Sequence, residues 1–130
     1  LWIGELIERC DICRNDYIEL AGAVFKRAQE LYDNKAYRES RSYLELAATL
    51  FKKNKDEANW LGALVLNAEC HELEGDSRNS GGLGSQFVSN TFYENALQAY
   101  RRIPTKHREK LGVNYKLISI RDKITEAGVG

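Results

Sequence analysis

Methionine is absent from the 130 residues, proline occurs once and cysteine three times. A single proline leaves room for long uninterrupted helices, since a proline inside a helix costs about 3 kcal/mol. Three cysteines are an odd number, and no Asn-x-Ser/Thr sequon is present. A disulfide-framed secreted domain is therefore disfavoured, and reduced thiols in a cytoplasmic setting are expected. Net charge is missing as well: 19 basic residues balance 19 acidic ones. That removes a global pull toward nucleic acid or membrane and leaves only local patches. No apolar run approaches the ~20 residues of a membrane span, and no charged-then-apolar leader opens the chain. With no methionine, Leu1 first and TEAGVG last, the sequence reads as a piece of a longer protein.

What is present is helical periodicity. The chain is 43% hydrophobic and 29% charged, a balance that suits one globular domain. Ile3, Leu6, Ile7, Cys10 and Cys13 follow helical spacing, which predicts a helix over 1–14. Asn15 or Asp16 can cap the next helix, where Tyr17, Leu20, Ala21, Val24, Ala28 and Leu31 form an apolar stripe ended by Asp33-Asn34-Lys35. A third helix holds Tyr37, Ser40, Leu44, Ala47 and Phe51 and closes at the charged KKNKDE. The fourth carries Leu61, Leu64, Val65, Ala68 and His71 and is expected to stop at Gly75. Residues 76–90 are rich in Gly and Ser and without period, so a dispensable surface loop is expected there. Thr91 and Glu94 fit a capping box, and Tyr93, Ala96, Leu97 and Tyr100 line a fifth helix ended by Pro104. After a short turn, TKHREKLG, residues Leu117, Ile120, Ile124 and Ala127 mark the last, capping helix of the segment 105–130. No segment reads as a strand, so the fold class is all-α.

Two stretches share a pattern. Val24, Ala28 and Leu31, a polar turn, then Ser40, Leu44 and Ala47 parallel Leu64, Ala68 and His71, a polar turn, then Tyr93, Ala96 and Tyr100. This resembles the tetratricopeptide repeat, a helix–turn–helix unit of about 34 residues. The resemblance implies antiparallel hairpins stacked as a short superhelix, with repeat one over 16–53 and repeat two over 56–104, the latter interrupted by the 76–90 loop. It also implies close contacts of Ala28 with Ser40 and of Ala68 with Ala96, because small residues let helices approach. The departures are His71 for the commonest Tyr, Lys35 for the turn Gly and Lys52 for the terminal Pro. The segments YRRIPTKHREKLGV and IRDKITEAG also resemble a stretch of large uncharacterised bacterial cytoplasmic proteins.

Motifs that could carry chemistry lack their usual surroundings. Cys10-x-x-Cys13 lies on a helical stripe rather than a tight loop, and Cys70 and His71 are neighbours pointing about 100° apart. Buried thiols are expected there, with no metal and no cofactor. NSGGLGS at 79–85 lacks both a preceding strand and the Lys-Ser/Thr ending of a phosphate loop. Arg102 and His107 have the spacing found in a family of helical metal-independent ribonucleases, but Pro104 breaks the helix between them. No catalytic residues emerge, so the chain is not expected to be an enzyme.

The expected role is a protein- or peptide-binding scaffold, or one that packs on the rest of its own chain. The repeat resemblance places Phe25, Gln29, Tyr32, Val65, Glu69 and Glu72 on its concave face. An alternative is a helical accessory domain of a nucleic-acid enzyme, with Arg101, Arg102, Lys106 and Arg108 touching phosphates. No membrane partner is expected.

Overall fold

In a computed structural model, which describes residues 14–79 and 83–129, the chain is all-α. The helices are α1 (Arg14–Asp33), α2 (Tyr37–Lys53), α3 (Glu57–Arg78), α4 (Leu83–Arg101), the short α5 (Thr105–Arg108) and α6 (Val113–Val129). There is no strand among the described residues. Two compact units meet in sequence between Leu66 and Asn67, inside α3. The helix expected over 1–14 lies outside the described residues except for Arg14. Asn15 and Asp16 fall within α1 rather than before it.

In the first unit α1 and α2 form an antiparallel hairpin. Tyr17, Ala21, Val24, Ala28 and Leu31 of α1 and Leu44, Ala47, Ala48, Leu50 and Phe51 of α2 are buried. Each large aliphatic or aromatic side chain removed from water in this way contributes about 1.5–3 kcal/mol. Ser40 and Ala28 meet as their sizes dictate: both are fully buried, and Ser40 Oγ donates to the Ala28 carbonyl at 2.7 Å.

Both turns of this unit are built alike. The Lys35 amide donates to the Tyr32 carbonyl and the Ala36 amide to the Leu31 carbonyl, while Lys35 takes φ 62°. Lys55 repeats the motif at φ 59°, with its amide on Lys52 and the Asp56 amide on Phe51. This is the Schellman ending of a helix, whose left-handed residue is usually Gly. Asp56 then caps α3, accepting from the Asn59 amide at 3.3 Å and from the Asn59 side chain at 2.7 Å.

The second unit holds the end of α3 with α4, α5 and α6, and α4 packs along α6. Its core includes Ala68, Cys70, Tyr93, Ala96, Leu97, Tyr100, Ile103, Val113 and Ile120. Here the expected loop over 76–90 is corrected. α3 runs on to Arg78, and α4 already begins at Leu83. Gly75 is a buried point of close approach rather than a helix end: a Cβ there would lie 2.8 Å from the Tyr93 ring and 3.2 Å from Phe92 Cβ. Ser89 Oγ donates to the Gly75 carbonyl at 2.9 Å. Thr91 is no cap but an interior residue of α4, its hydroxyl on the Phe87 carbonyl at 3.1 Å.

The second hairpin is thus fastened as the first is, by a buried serine hydroxyl donated to the carbonyl of a small residue on the preceding helix. The separations are nearly equal, 12 residues for Ala28 to Ser40 and 14 for Gly75 to Ser89. The register read from sequence is kept: the Ser89–Gly75 bond lies seven residues, about two helical turns, nearer the loop than the level of Ala68 and Ala96. Ala68 and Ala96 sit two turns further along from Gly75 and Ser89, and both are fully buried. The long insertion disappears.

The C-terminal segment is a one-turn helix followed by the last helix. Pro104 opens α5, and Gly112, at φ 72°, separates it from α6. α4 itself ends at Arg101, before the proline.

Candidate functional site: an aromatic face and a buried ion cluster

In the first unit, Phe25, Gln29 and Tyr32 are four and three residues apart on α1 and so share one side of the helix. Gln29 is exposed, while Phe25 and Tyr32 are half-buried. Each aromatic is held edge-on by another from α2. Phe25 meets Phe51 at 5.5 Å between ring centres and 82°, and Tyr32 meets Tyr37 at 5.8 Å and 73°. Such T-shaped pairs each contribute about 0.5–1.5 kcal/mol beyond burial and fix the rings. The result is an exposed amide bracketed by two immobilised aromatic edges. Val65 is half-buried on the part of α3 that belongs to this unit.

Glu69 and Glu72 belong to the second unit. Glu69 is half-buried. Glu72 is placed otherwise than a groove contact requires, being only 5% exposed and already paired. It receives Lys116 Nζ at 3.2 Å and Lys123 Nζ at 2.8 Å. Lys123 reaches Asp76 as well, at 3.0 Å, and lies over the Tyr93 ring at 5.4 Å from its centre. The Tyr93 hydroxyl donates to Asp76 Oδ1 at 2.6 Å.

One turn of α3, Glu72 to Asp76, therefore gathers two lysines of α6 and a tyrosine of α4. Burial, followed by the hydrogen bond and the negative charge of Asp76, pushes the Tyr93 phenol well above its ordinary value. Burial alone would pull Lys123 down, but hydrogen bonds and charge from Glu72 and Asp76 outweigh it and hold the ammonium above the usual lysine value. Both groups keep their protons at neutral pH. The cluster offers no activated nucleophile or base from either one, and its evident work is to tie α6 to α3.

No local sequence pattern points directly to this cluster. The available signal was polar residues interrupting apolar stripes on α3 and α6, at matched helical spacing. Their partners lie 44 and 51 residues away.

In the basic segment, Arg101, Arg102 and Lys106 are exposed. Arg108 is not free for a phosphate: its Nε donates to the Ile103 carbonyl at 2.9 Å and its Nη2 to the Arg101 carbonyl at 2.8 Å. It satisfies carbonyls at the end of α4, a role that a cation just beyond a helix C-terminus commonly takes.

Cys70 is a buried thiol, and Cys10 and Cys13 lie outside the described residues. Among the described residues no three His, Cys, Asp or Glu side chains group closely enough to hold a metal ion. No described helix is long and apolar enough to cross a membrane. No protein-family model, no curated protein and no solved structure matches the chain.

Proposed function

We propose that this chain is a non-catalytic helical scaffold that binds a protein or peptide segment along α1, as part of a larger cytoplasmic protein of bacterial type. The observation that carries the reading is the pair of T-shaped aromatic contacts bracketing exposed Gln29. Rigid aromatic edges supply contact area with little loss of side-chain entropy, and an amide between them can hydrogen-bond an extended backbone. The tetratricopeptide-like reading gains support from the Ser40–Ala28 bond and from Lys35, which adopts the left-handed turn conformation of the Gly it replaces.

The ligand follows from the surroundings. Glu72, whose carboxylate would otherwise attract a basic segment, is neutralised within the chain by Lys116 and Lys123. An apolar, uncharged extended segment suits α1 better, whether from another protein or from the remainder of the same chain. The nucleic-acid alternative loses Arg108 to helix capping. The test is to select 12-residue peptides (extended, ~40 Å, enough to run the ~30 Å length of α1) from a random display library on the immobilised chain. Affinities are then measured against Phe25→Ala, Tyr32→Ala and Gln29→Arg. Each substitution should weaken the selected peptides about tenfold or more. Peptides that bind all three variants as they bind the parent would refute the site. A strong fall in affinity with added salt for RNA or DNA would favour the alternative.

A further inference from the structure

The outer side of α6 is unlike an ordinary solvated helix face. Its inner side contributes buried Val113 and Ile120, together with Lys116 and Lys123 of the ion cluster. Opposite these, Ile118 is 60% exposed and Tyr115 is 73% exposed. Asn114, Arg121 and Asp122 are exposed around them. With Ile118 as origin and about 100° per residue, Asn114 and Asp122 fall about 40° to opposite sides, and Tyr115 and Arg121 about 60° to opposite sides. Asn114 and Tyr115 thus flank Ile118 toward one end of the face, Arg121 and Asp122 toward the other, and the two ends are chemically complementary.

We propose that this face pairs with the same face of a second copy of the chain, the two α6 helices running antiparallel about a twofold axis at Ile118. A twofold axis lying across the helices keeps each residue on its own side of the interface while reversing its height. Ile118 then meets Ile118 of the second copy. Tyr115 comes level with Asp122 of the second copy, where the phenol donates to the carboxylate. Asn114 comes level with Arg121 of the second copy, where the amide oxygen accepts from the guanidinium. Each contact occurs twice, as an isologous interface requires. A parallel pairing would set like groups at the same height. The zero net charge of the chain imposes no long-range repulsion between copies. A partner of one charge sign would gain less, because the face carries one cation and one anion.

Sedimentation velocity on the full chain over a concentration series tests this. The parent chain should pass from monomer to dimer, and Ile118→Arg should weaken the association by about 30-fold or more, as at the centre of an interface. Tyr115→Glu, which sets a carboxylate against Asp122 of the second copy, should weaken it too and guards against a folding defect in the first variant. Phe87→Arg, at a site on α4 that is 74% exposed, should associate like the parent. A parent chain that stays monomeric throughout the series overturns the proposal. So does a dimer that survives both α6 substitutions, or one lost equally on Phe87→Arg.

Discussion

Gly75→Ala should destabilise the chain, although alanine is the better helix former. The added Cβ would lie 2.8 and 2.9 Å from two carbons of the Tyr93 ring, and ordinary contact begins at 3.4 Å. The ring must retreat by about 0.6 Å, the difference between those distances. It has little freedom to do so, being 3% exposed, bonded through its hydroxyl to Asp76 at 2.6 Å and covered by Lys123. Overpacking costs about 1–3 kcal/mol, and losing a hydrogen bond to a charged group costs a further 1.5–3 kcal/mol or so. Helix propensity returns only about 1 kcal/mol. The net loss should be about 1.5–5 kcal/mol, or roughly 6–20 °C in Tm for a chain of this size. Gly22→Ala and Gly62→Ala serve as controls. Neither Cβ would meet anything within 4 Å, so each should stabilise by up to about 1 kcal/mol. Thermal denaturation followed by circular dichroism reads all three. If Gly75→Ala melts as high as Gly22→Ala, α3 and α4 do not approach at Gly75 as described.

The two left-handed lysines predict gains rather than losses. Lys35→Gly and Lys55→Gly should each stabilise by about 0.5–1 kcal/mol, because relief of about 1–2 kcal/mol of left-handed strain exceeds glycine's entropy cost. A urea midpoint that falls for both would contradict the turn geometry. The ion cluster predicts an alkaline limit. Tyr93 and Lys123 both have folded values raised above their ordinary 10.0 and 10.5, so their contribution is complete below those values and is lost as pH rises through the folded ones. Urea midpoints should therefore fall beyond about pH 10, and Tyr93→Phe should remove the tyrosine's share of that fall. An identical alkaline slope in the variant would show that the Tyr93 phenol is not held as described.

How far the sequence could be read depended on where each contact's partners lay. α1 and α2 were legible because their apolar stripe is regular and their turn is short: Ala21, Val24, Ala28 and Leu31 are buried as the period requires. The Ala28–Ser40 pairing was implied by the repeat resemblance, in which small residues of paired helices meet. The second hairpin was misjudged because Gly81, Gly82, Gly84 and several serines weigh against a helix locally, while burial of Ser89 and Tyr93 weighs for one only once α3 is in place. A buried serine and an exposed Phe87 together erase the hydrophobic period on which the reading relied. Of the candidate contacts, Phe25, Gln29 and Tyr32 could be placed on one side by helical phase. The fate of Glu72 could not, since it depends on lysines far along the chain that no local pattern connects to it.

A peptide segment lying along α1 would be located by amide chemical-shift mapping. Nitrogen-15-labelled chain would be titrated with an apolar peptide obtained by display selection. The largest perturbations should fall on Phe25, Gln29 and Tyr32, with the supporting Phe51 and Tyr37 following. Perturbations confined to α4 and α6, with the α1 amides unmoved at saturation, would contradict that placement.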